Sequence, residues 1–221
     1  MDAMSPTPEV VAGFRDVAAA SVADAVDRVL GRRGFMSSRI KPAFPSRIAG
    51  PAATVLEGPG SEPRPPIHAL EAIDQSPPGT VVVIATQDPV AAEDVAVWGG
   101  LMSTAASARD LGGAVLDAGA RDVAESRELG FPIFSRSVVT STTVGRYVTL
   151  ARDVPVTCGG VPVRPGDVVV GDEDGVVVVP AERAGEVLAA AREIEDAERQ
   201  MAEEIGRQRS IIRALERFGR I

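Results

Sequence analysis

Apolar residues between positions 8 and 31 recur at helical spacing: Val10, Val11, Phe14, Val17 and Ala18, then a run over 22–30. That period lines up one face of a helix. The stretch therefore predicts two helices, with Ser21 as the candidate cap of the second. A Gly-, Ser- and Pro-containing loop follows over 31–45. Residues 48–56 then predict a strand, 58–66 a long exposed loop rich in Pro and Gly, and 67–73 a short helix. Pro77-Pro78-Gly79 marks a turn. Beyond it, the Val81-Val82-Val83-Ile84 run gives a strand over 80–85 that is buried on both faces. The alternation repeats with a mostly helical stretch over 92–110, a buried strand over 113–117, a helix over 122–129 and a strand over 132–134. This is α/β punctuation, with loops at strand ends where ligands bind.

After Tyr147 the pattern changes to short strands over 154–156, 161–163, 168–170 and 176–179, separated by Gly-Gly, Pro-Gly and Asp-Gly turns. They predict an antiparallel β layer, with Pro155 marking its first strand as an edge. From Ala181 the chain reads as a long charged helix ending near Gly206, then a short one to Phe218. Its apolar stripe of Val187, Ala191, Ile194, Ala197 or Glu198, Met201 and Ile205 is narrow. A helix so polar predicts packing against a neighbouring subunit. No internal repeat or low-complexity segment interrupts the chain. It reads as one domain over 1–221, with N-terminal helices in 1–45 and a C-terminal helical extension in 181–221.

Composition narrows the possibilities. Aromatics make up only 4% of 221 residues, so the core must be built from Ala, Val, Ile and Leu. The balance of 23 basic and 31 acidic residues, net −8, argues against binding nucleic acid through its phosphates. With one cysteine, Cys158, no intrachain disulfide can form and cysteine-rich zinc sites are excluded. His68 is the only histidine; its amphipathic helix suits a packed or surface position better than a general base. Cys158 has no activating neighbour in sequence and reads as a bystander thiol. No apolar run approaches the roughly 18–20 residues a bilayer requires. Residues 1–9 lack the basic start and apolar stretch of an export signal, so a cytoplasmic location is expected.

Candidate chemistry concentrates between Trp98 and Glu125. Gly99-Gly100 open a helix, and glycines there let a ligand approach the backbone closely. The free amides of Gly100, Leu101 and Met102, with the helix dipole behind them, suit an anion. Twenty residues after Gly100 stand Arg121 and Asp122, at the end of a buried strand. Arg121 supplies a planar fork for a carboxylate. Asp122 supplies a hard oxygen ligand for Mg²⁺. A carboxylate clamp beside a divalent metal suits a 2-oxo acid. Simpler roles exist for each piece: a plain turn for Gly99-Gly100, a solvated pair for Arg121-Asp122, an i,i+4 ion pair with Arg121 for Glu125, and a turn position for Asp117.

The order and spacing of several short pieces resemble the RraA-like family, in its 4-hydroxy-4-methyl-2-oxoglutarate and 4-carboxy-4-hydroxy-2-oxoadipate aldolase branch. These pieces are Gly50-Pro51-Ala52, Pro78-Gly79-Thr80-Val81, 99–106, 113–122, Gly159-Gly160-Val161, Arg164-Pro165-Gly166-Asp167 and 171–180. The spacing Gly100-x20-Arg121-Asp122-x2-Glu125 is the pattern of that branch. The resemblance implies an α/β/β sandwich with a mixed central sheet and a long C-terminal helix, assembled as a homotrimer or hexamer. It implies that backbone amides of Gly99, Gly100, Leu101 and Met102 hold substrate, that Arg121 binds its carboxylate and keto oxygen, and that Asp122 is the protein ligand of Mg²⁺ or Mn²⁺. Glu198 resembles the acid that reaches the metal's water shell from the adjacent subunit, with Glu125 and Asp117 as further supporting residues. Gly100 stands where many relatives carry Glu, Ala118 where they carry Gly, and 137–143 matches poorly.

The implied activity is cleavage of 4-hydroxy-2-oxo acids to pyruvate, and oxaloacetate decarboxylation, both through a pyruvate enolate. The alternative is a non-catalytic regulator that binds a ribonuclease, as RraA does. Methyl transfer, a third possibility, lacks any Gly-rich S-adenosylmethionine loop after the first strand.

Overall fold

The computed structural model describes residues 6–218. The first part of the 1–9 stretch, read above for an export signal, and the last three residues of the C-terminal extension lie outside it. Pro8–Gly13 form α1, with Thr7 as its cap, and Ala19–Leu30 form α2. Ser21 does not cap α2. It is buried inside the helix, and the amides of Ala18 and Ala19 are satisfied instead by Glu195 Oε1 (2.7 Å) and Asp172 Oδ2 (2.9 Å). Distant carboxylates have taken the capping role, which local sequence does not reveal.

The chain continues through β1 (Lys41–Pro42), β2 (Ile48–Pro59), α3 (Ile67–Gln75), β3 (Val81–Thr86), β4 (Ala96–Trp98), α4 (Gly100–Ala108), β5 (Gly113–Ala120), α5 (Val123–Glu128) and β6 (Ile133–Val138). Then come β7 (Tyr147–Arg152), β8 (Val156–Cys158), β9 (Val161–Val163), β10 (Val168–Asp172), β11 (Gly175–Val179), α6 (Ala184–Gln208) and α7 (Ile211–Phe218). Two expectations need correction. The stretch 92–110 is not mostly helix, because pairing with β5 turns 96–98 into a strand and Gly99-Gly100 start the helix afresh. The later strands are not one separate layer either. β10 and β11 join the main sheet through β2, and only β8 and β9 stand apart as a hairpin. That hairpin turns on Gly159 and Gly160, both at positive φ (57° and 79°), as a tight two-residue connection requires.

The main sheet runs β1-β6-β5-β3-β2-β10-β11, with β4 beside β5 and β7 beside β2. Strands β2, β3, β5 and β6 are parallel; β1, β7, β10 and β11 run antiparallel to their neighbours. The long strand β2 ties both halves together, pairing β10 through 48–51 and β3 through 52–57. The sheet curls until β1 meets β11. Period-two alternation then sorts the apolar residues. Val81, Val83, Val115 and Phe134 point into the curl, which the β8–β9 hairpin closes with Cys158 and Val161. Val55, Val82, Ile84 and Leu116 face outward under α3 and α4. Val168, Val170, Val177 and Val179 carry α2 and the first half of α6. These layers are the α/β/β sandwich with its mixed sheet and long C-terminal helix.

Within the charged helix α6, Glu204 is 3% exposed and paired with Arg207 and Gln208. No helix among the described residues is long and apolar enough to cross a membrane.

Candidate active site

The carboxyl ends of β4 and β5 are joined by one hydrogen bond, from the Arg121 amide to the Trp98 carbonyl (3.0 Å). Gly99-Gly100 and Arg121-Asp122 therefore leave the sheet side by side, although twenty residues separate them. Asp122 turns the chain from β5 into α5 with φ 56° and ψ 37°. This left-handed conformation costs most side chains about 1–2 kcal/mol, and Asp is among the few that visit it. Its Oδ2 accepts the Gly100 N–H (3.0 Å) and lies 3.5 Å from Arg121 Nε.

Gly99 is extended (φ −144°), so the glycine pair is not there for backbone freedom. Space is the reason. A Cβ on Gly99 would stand 3.0 Å from Asp122 Oδ2 and 3.1 Å from Arg121 Nε, and one on Gly100 would overlap the Glu125 carboxylate. Asp122 and Glu125 thus both lie against the bare backbone at the start of α4. The simple-turn role of the glycines gives way to a packing role, and the Arg121–Glu125 ion pair is not formed: Arg121 pairs with Asp122. Behind them the wall is rigid. Trp98 is fully buried, stacks on Phe131 (5.7 Å) and donates from Nε1 to Ser103 Oγ (2.9 Å), which meets Ser126 Oγ at 2.8 Å and so links α4 to α5.

These groups open onto a cleft of about 230 Å³, closed on the far side by Pro66, Leu70 and residues 142–144. The expected amide cradle is reduced. Gly100 donates to Asp122 and Met102 to the Gly99 carbonyl (3.0 Å), which leaves the Leu101 amide without a partner among the described residues. Arg121 and Asp122 are each about half exposed, so the fork and the second oxygen of Asp122 remain available to a ligand. The Glu125 carboxylate has neither hydrogen bond nor ion pair among the described residues, while its backbone carbonyl accepts the Leu129 N–H.

Two other expected residues are elsewhere. Asp117 is buried within β5, bonded to Arg136 Nε (2.5 Å) and to the Gly159 amide (2.8 Å), on the floor of a separate cavity of about 830 Å³. Both its oxygens are committed to holding β6 and the β8–β9 hairpin. Glu198 is exposed on α6 and does not line the cleft of its own chain. His68 pairs with Glu71 (3.4 Å), as a packed histidine should. Cys158 is fully buried, and that burial, helped by Asp117, pushes its thiol well above the ordinary range, consistent with an inert bystander.

No set of three or more His, Cys, Asp or Glu among the described residues could hold a metal unaided. The available oxygens of Asp122 and Glu125 nonetheless fit Mg²⁺ or Mn²⁺. Such ions are held by one or two carboxylates and keep several waters.

Two residues were not singled out from the sequence. Thr143 lines the cleft, and its hydroxyl donates to Glu57 Oε2 (3.2 Å). Glu57 is 0% exposed, its Oε1 has no partner among the described residues, and burial lifts its carboxyl to about 7. The signal was present: strand alternation places position 57 on the same helix-covered face as Val55. A strand ended at Leu56 hides it.

The burial of Glu57 has a measurable consequence. The folded chain keeps its proton up to about pH 7, while an ordinary glutamate releases it near 4.5. Stability from this source is complete below that lower value and is lost as pH rises through the upper one, by on the order of 3 kcal/mol. Glu57→Gln is therefore expected to stabilise the chain above neutrality and leave it little changed in acid. Urea unfolding of both proteins at the two extremes checks this; parallel pH dependences would show that Glu57 is not the group responsible.

A model of the RraA-like family, described as Aldolase/RraA, matches residues 19–178. A Halalkalibacterium halodurans protein provisionally named 4-hydroxy-4-methyl-2-oxoglutarate aldolase is 31% identical over 205 residues, covering 92% of this chain and 89% of that protein. Among solved structures, an uncharacterised protein of Pseudomonas syringae pv. tomato superposes with a TM-score of 0.84 at 32% identity, over 96% of this chain and 98% of the other. Streptomyces coelicolor RraAS2, described as an unusual member of the RNase ES inhibitor RraA family, gives 0.76 at 29%, over 92% and 98%.

Proposed function

The chain belongs to the RraA-like family, and on that footing we propose that it is a divalent-metal-dependent lyase releasing pyruvate from 4-hydroxy-2-oxo acids and from oxaloacetate. The observation that carries this reading is the meeting of a half-exposed guanidinium and two half-exposed or exposed carboxylates at one bare helix start. Asp122, with Glu125 beside it, would hold Mg²⁺ or Mn²⁺. When bound, the metal supplies positive charge next to the carboxylate and keto oxygens of a 2-oxo acid. Arg121 binds that carboxylate and stabilises the charge that grows on the keto oxygen as the enolate forms. The Leu101 amide adds one neutral donor at the helix terminus. Pro66, Leu70 and Val144 give the facing wall of the cleft an apolar surface for the carbon chain of the substrate.

In both reactions the C3–C4 bond breaks toward C3. Decarboxylation expels carbon dioxide and needs no base; retro-aldol cleavage must also lose the C4 hydroxyl proton. Pyruvate release from 4-hydroxy-4-methyl-2-oxoglutarate and oxaloacetate, followed with a lactate dehydrogenase couple, tests the assignment. Release from neither overturns it. The rival reading, a ribonuclease-binding regulator, draws on the likeness to the Streptomyces protein. It leaves the paired Asp122 and Glu125 without a role, and co-purification with a ribonuclease would favour it.

The site is completed in a homotrimer or hexamer, where Glu198 of the adjacent subunit reaches the metal's water shell. Loss of such an outer partner costs about 10–100-fold. Glu198→Gln is expected to lower turnover by that factor with the assembly intact by light scattering, while the exposed Glu203→Gln changes little. A fully active monomer would rule out a shared site.

A further inference from the structure

The retro-aldol reaction needs a proton acceptor, and the cleft wall offers one. We propose that Glu57, acting through the Thr143 hydroxyl, receives the proton that leaves the C4 hydroxyl of a 4-hydroxy-2-oxo acid. The inference rests on the reading of the cleft given above.

Thr143 faces the cleft and donates to Glu57 Oε2 at 3.2 Å. A hydroxyl accepts as well as donates, so Thr143 Oγ1 can take a hydrogen bond from the substrate while giving one to Glu57. Glu57 itself is completely buried and, among the described residues, has no ion pair and leaves Oε1 unpartnered. A buried acid without a cation is costly to the fold, so its position points to a task. The groups that face it do not neutralise it. The nearest titratable neighbour is the Tyr147 phenol on β7, which burial and the charges of Asp88 and Glu57 hold above its ordinary range; none of these is a cation. Burial holds Glu57 at about 7, where it is partly ionised at neutral pH and can both accept and return a proton.

The step balances without any other reagent. As the C4 O–H bond breaks, its proton passes to Thr143 Oγ1 and the Thr143 proton passes to Glu57 Oε2. The O–H electron pair becomes the second bond of the C4 carbonyl, and the C3–C4 pair leaves as the pyruvate enolate. Water then supplies the proton that C3 takes to become pyruvate, and Glu57 returns its proton to solvent through Thr143, which restores the starting state. Thr143 meets the substrate; Glu57, which acts through it, is a positioning residue at the end of the proton path.

Oxaloacetate decarboxylation needs no such path, and this separates the relay from a structural role. With Mg²⁺ present, Glu57→Gln keeps an acceptor for Thr143 and should lower cleavage of 4-hydroxy-4-methyl-2-oxoglutarate about a hundredfold while sparing decarboxylation. The wild-type kcat/KM for cleavage should rise with pH through an inflection near 7 that the variant lacks. Thr143→Val should match Glu57→Gln, and Thr143→Ser should keep cleavage. Equal losses on both substrates, or no loss on either, overturn the relay while leaving the lyase reading intact. Wild-type decarboxylation without any cleavage also overturns it, because no proton then needs carrying. Activity on neither substrate removes the functional reading and the relay together.

Discussion

Arg121→Ala is expected to reduce pyruvate release from either substrate by about a hundredfold or more, on the order of 3 kcal/mol of transition-state stabilisation. The side chain is half exposed, its ion pair among the described residues is with Asp122 through Nε, and it belongs to no core cluster. Its removal should therefore leave thermal stability nearly unchanged. The loss belongs in kcat as well as KM, because the guanidinium meets more charge in the enolate than in the ground state. Arg121→Lys should recover little, since a point charge cannot reproduce a fork aimed at a carboxylate. Turnover within a few-fold of wild type would mean that the reacting centre is elsewhere.

Asp122 carries the second large effect, but it serves the fold as well as the chemistry, so the substitution must be chosen with care. Asn tolerates the left-handed backbone at φ 56° and can still accept the Gly100 N–H. It lacks only the negative charge. Asp122→Asn is expected to keep the fold, weaken Mn²⁺ binding measured by calorimetry, and lower turnover at least about a hundredfold. Asp122→Ala should show the same chemical loss together with roughly 1–2 kcal/mol of lost stability from the strained conformation. Undiminished Mn²⁺ binding in the Asn variant would remove Asp122 from the metal's coordination.

Much of this was legible in the sequence. The Val81-Val82-Val83-Ile84 run, the Gly159-Gly160 turn and the charged 181–218 segment declared their elements, because each depends on local period or backbone geometry. The spacing from Gly100 to Arg121 and Asp122 singled out two stretches that the fold brings to one cleft. What stayed hidden depends on contacts between distant segments. The strand at 96–98 exists because β5 lies beside it. The cap of α2 comes from Asp172, about 150 positions away. Tyr147–Arg152 alternates half-buried residues with no apolar run, so it did not read as a strand. Glu57 looked like a strand boundary because an acid inside a buried strand contradicts its surroundings. Such local conflicts are where function is expected to override stability.

The central claim, a metal-assisted lyase at the Gly99-Gly100/Arg121-Asp122 cleft, is tested most directly by following pyruvate release from oxaloacetate before and after exhaustive chelation. The expected result is activity that disappears with chelation, returns on addition of Mg²⁺ or Mn²⁺, and does not return in Asp122→Asn. Pyruvate release that persists unchanged after the metal has been removed would contradict it.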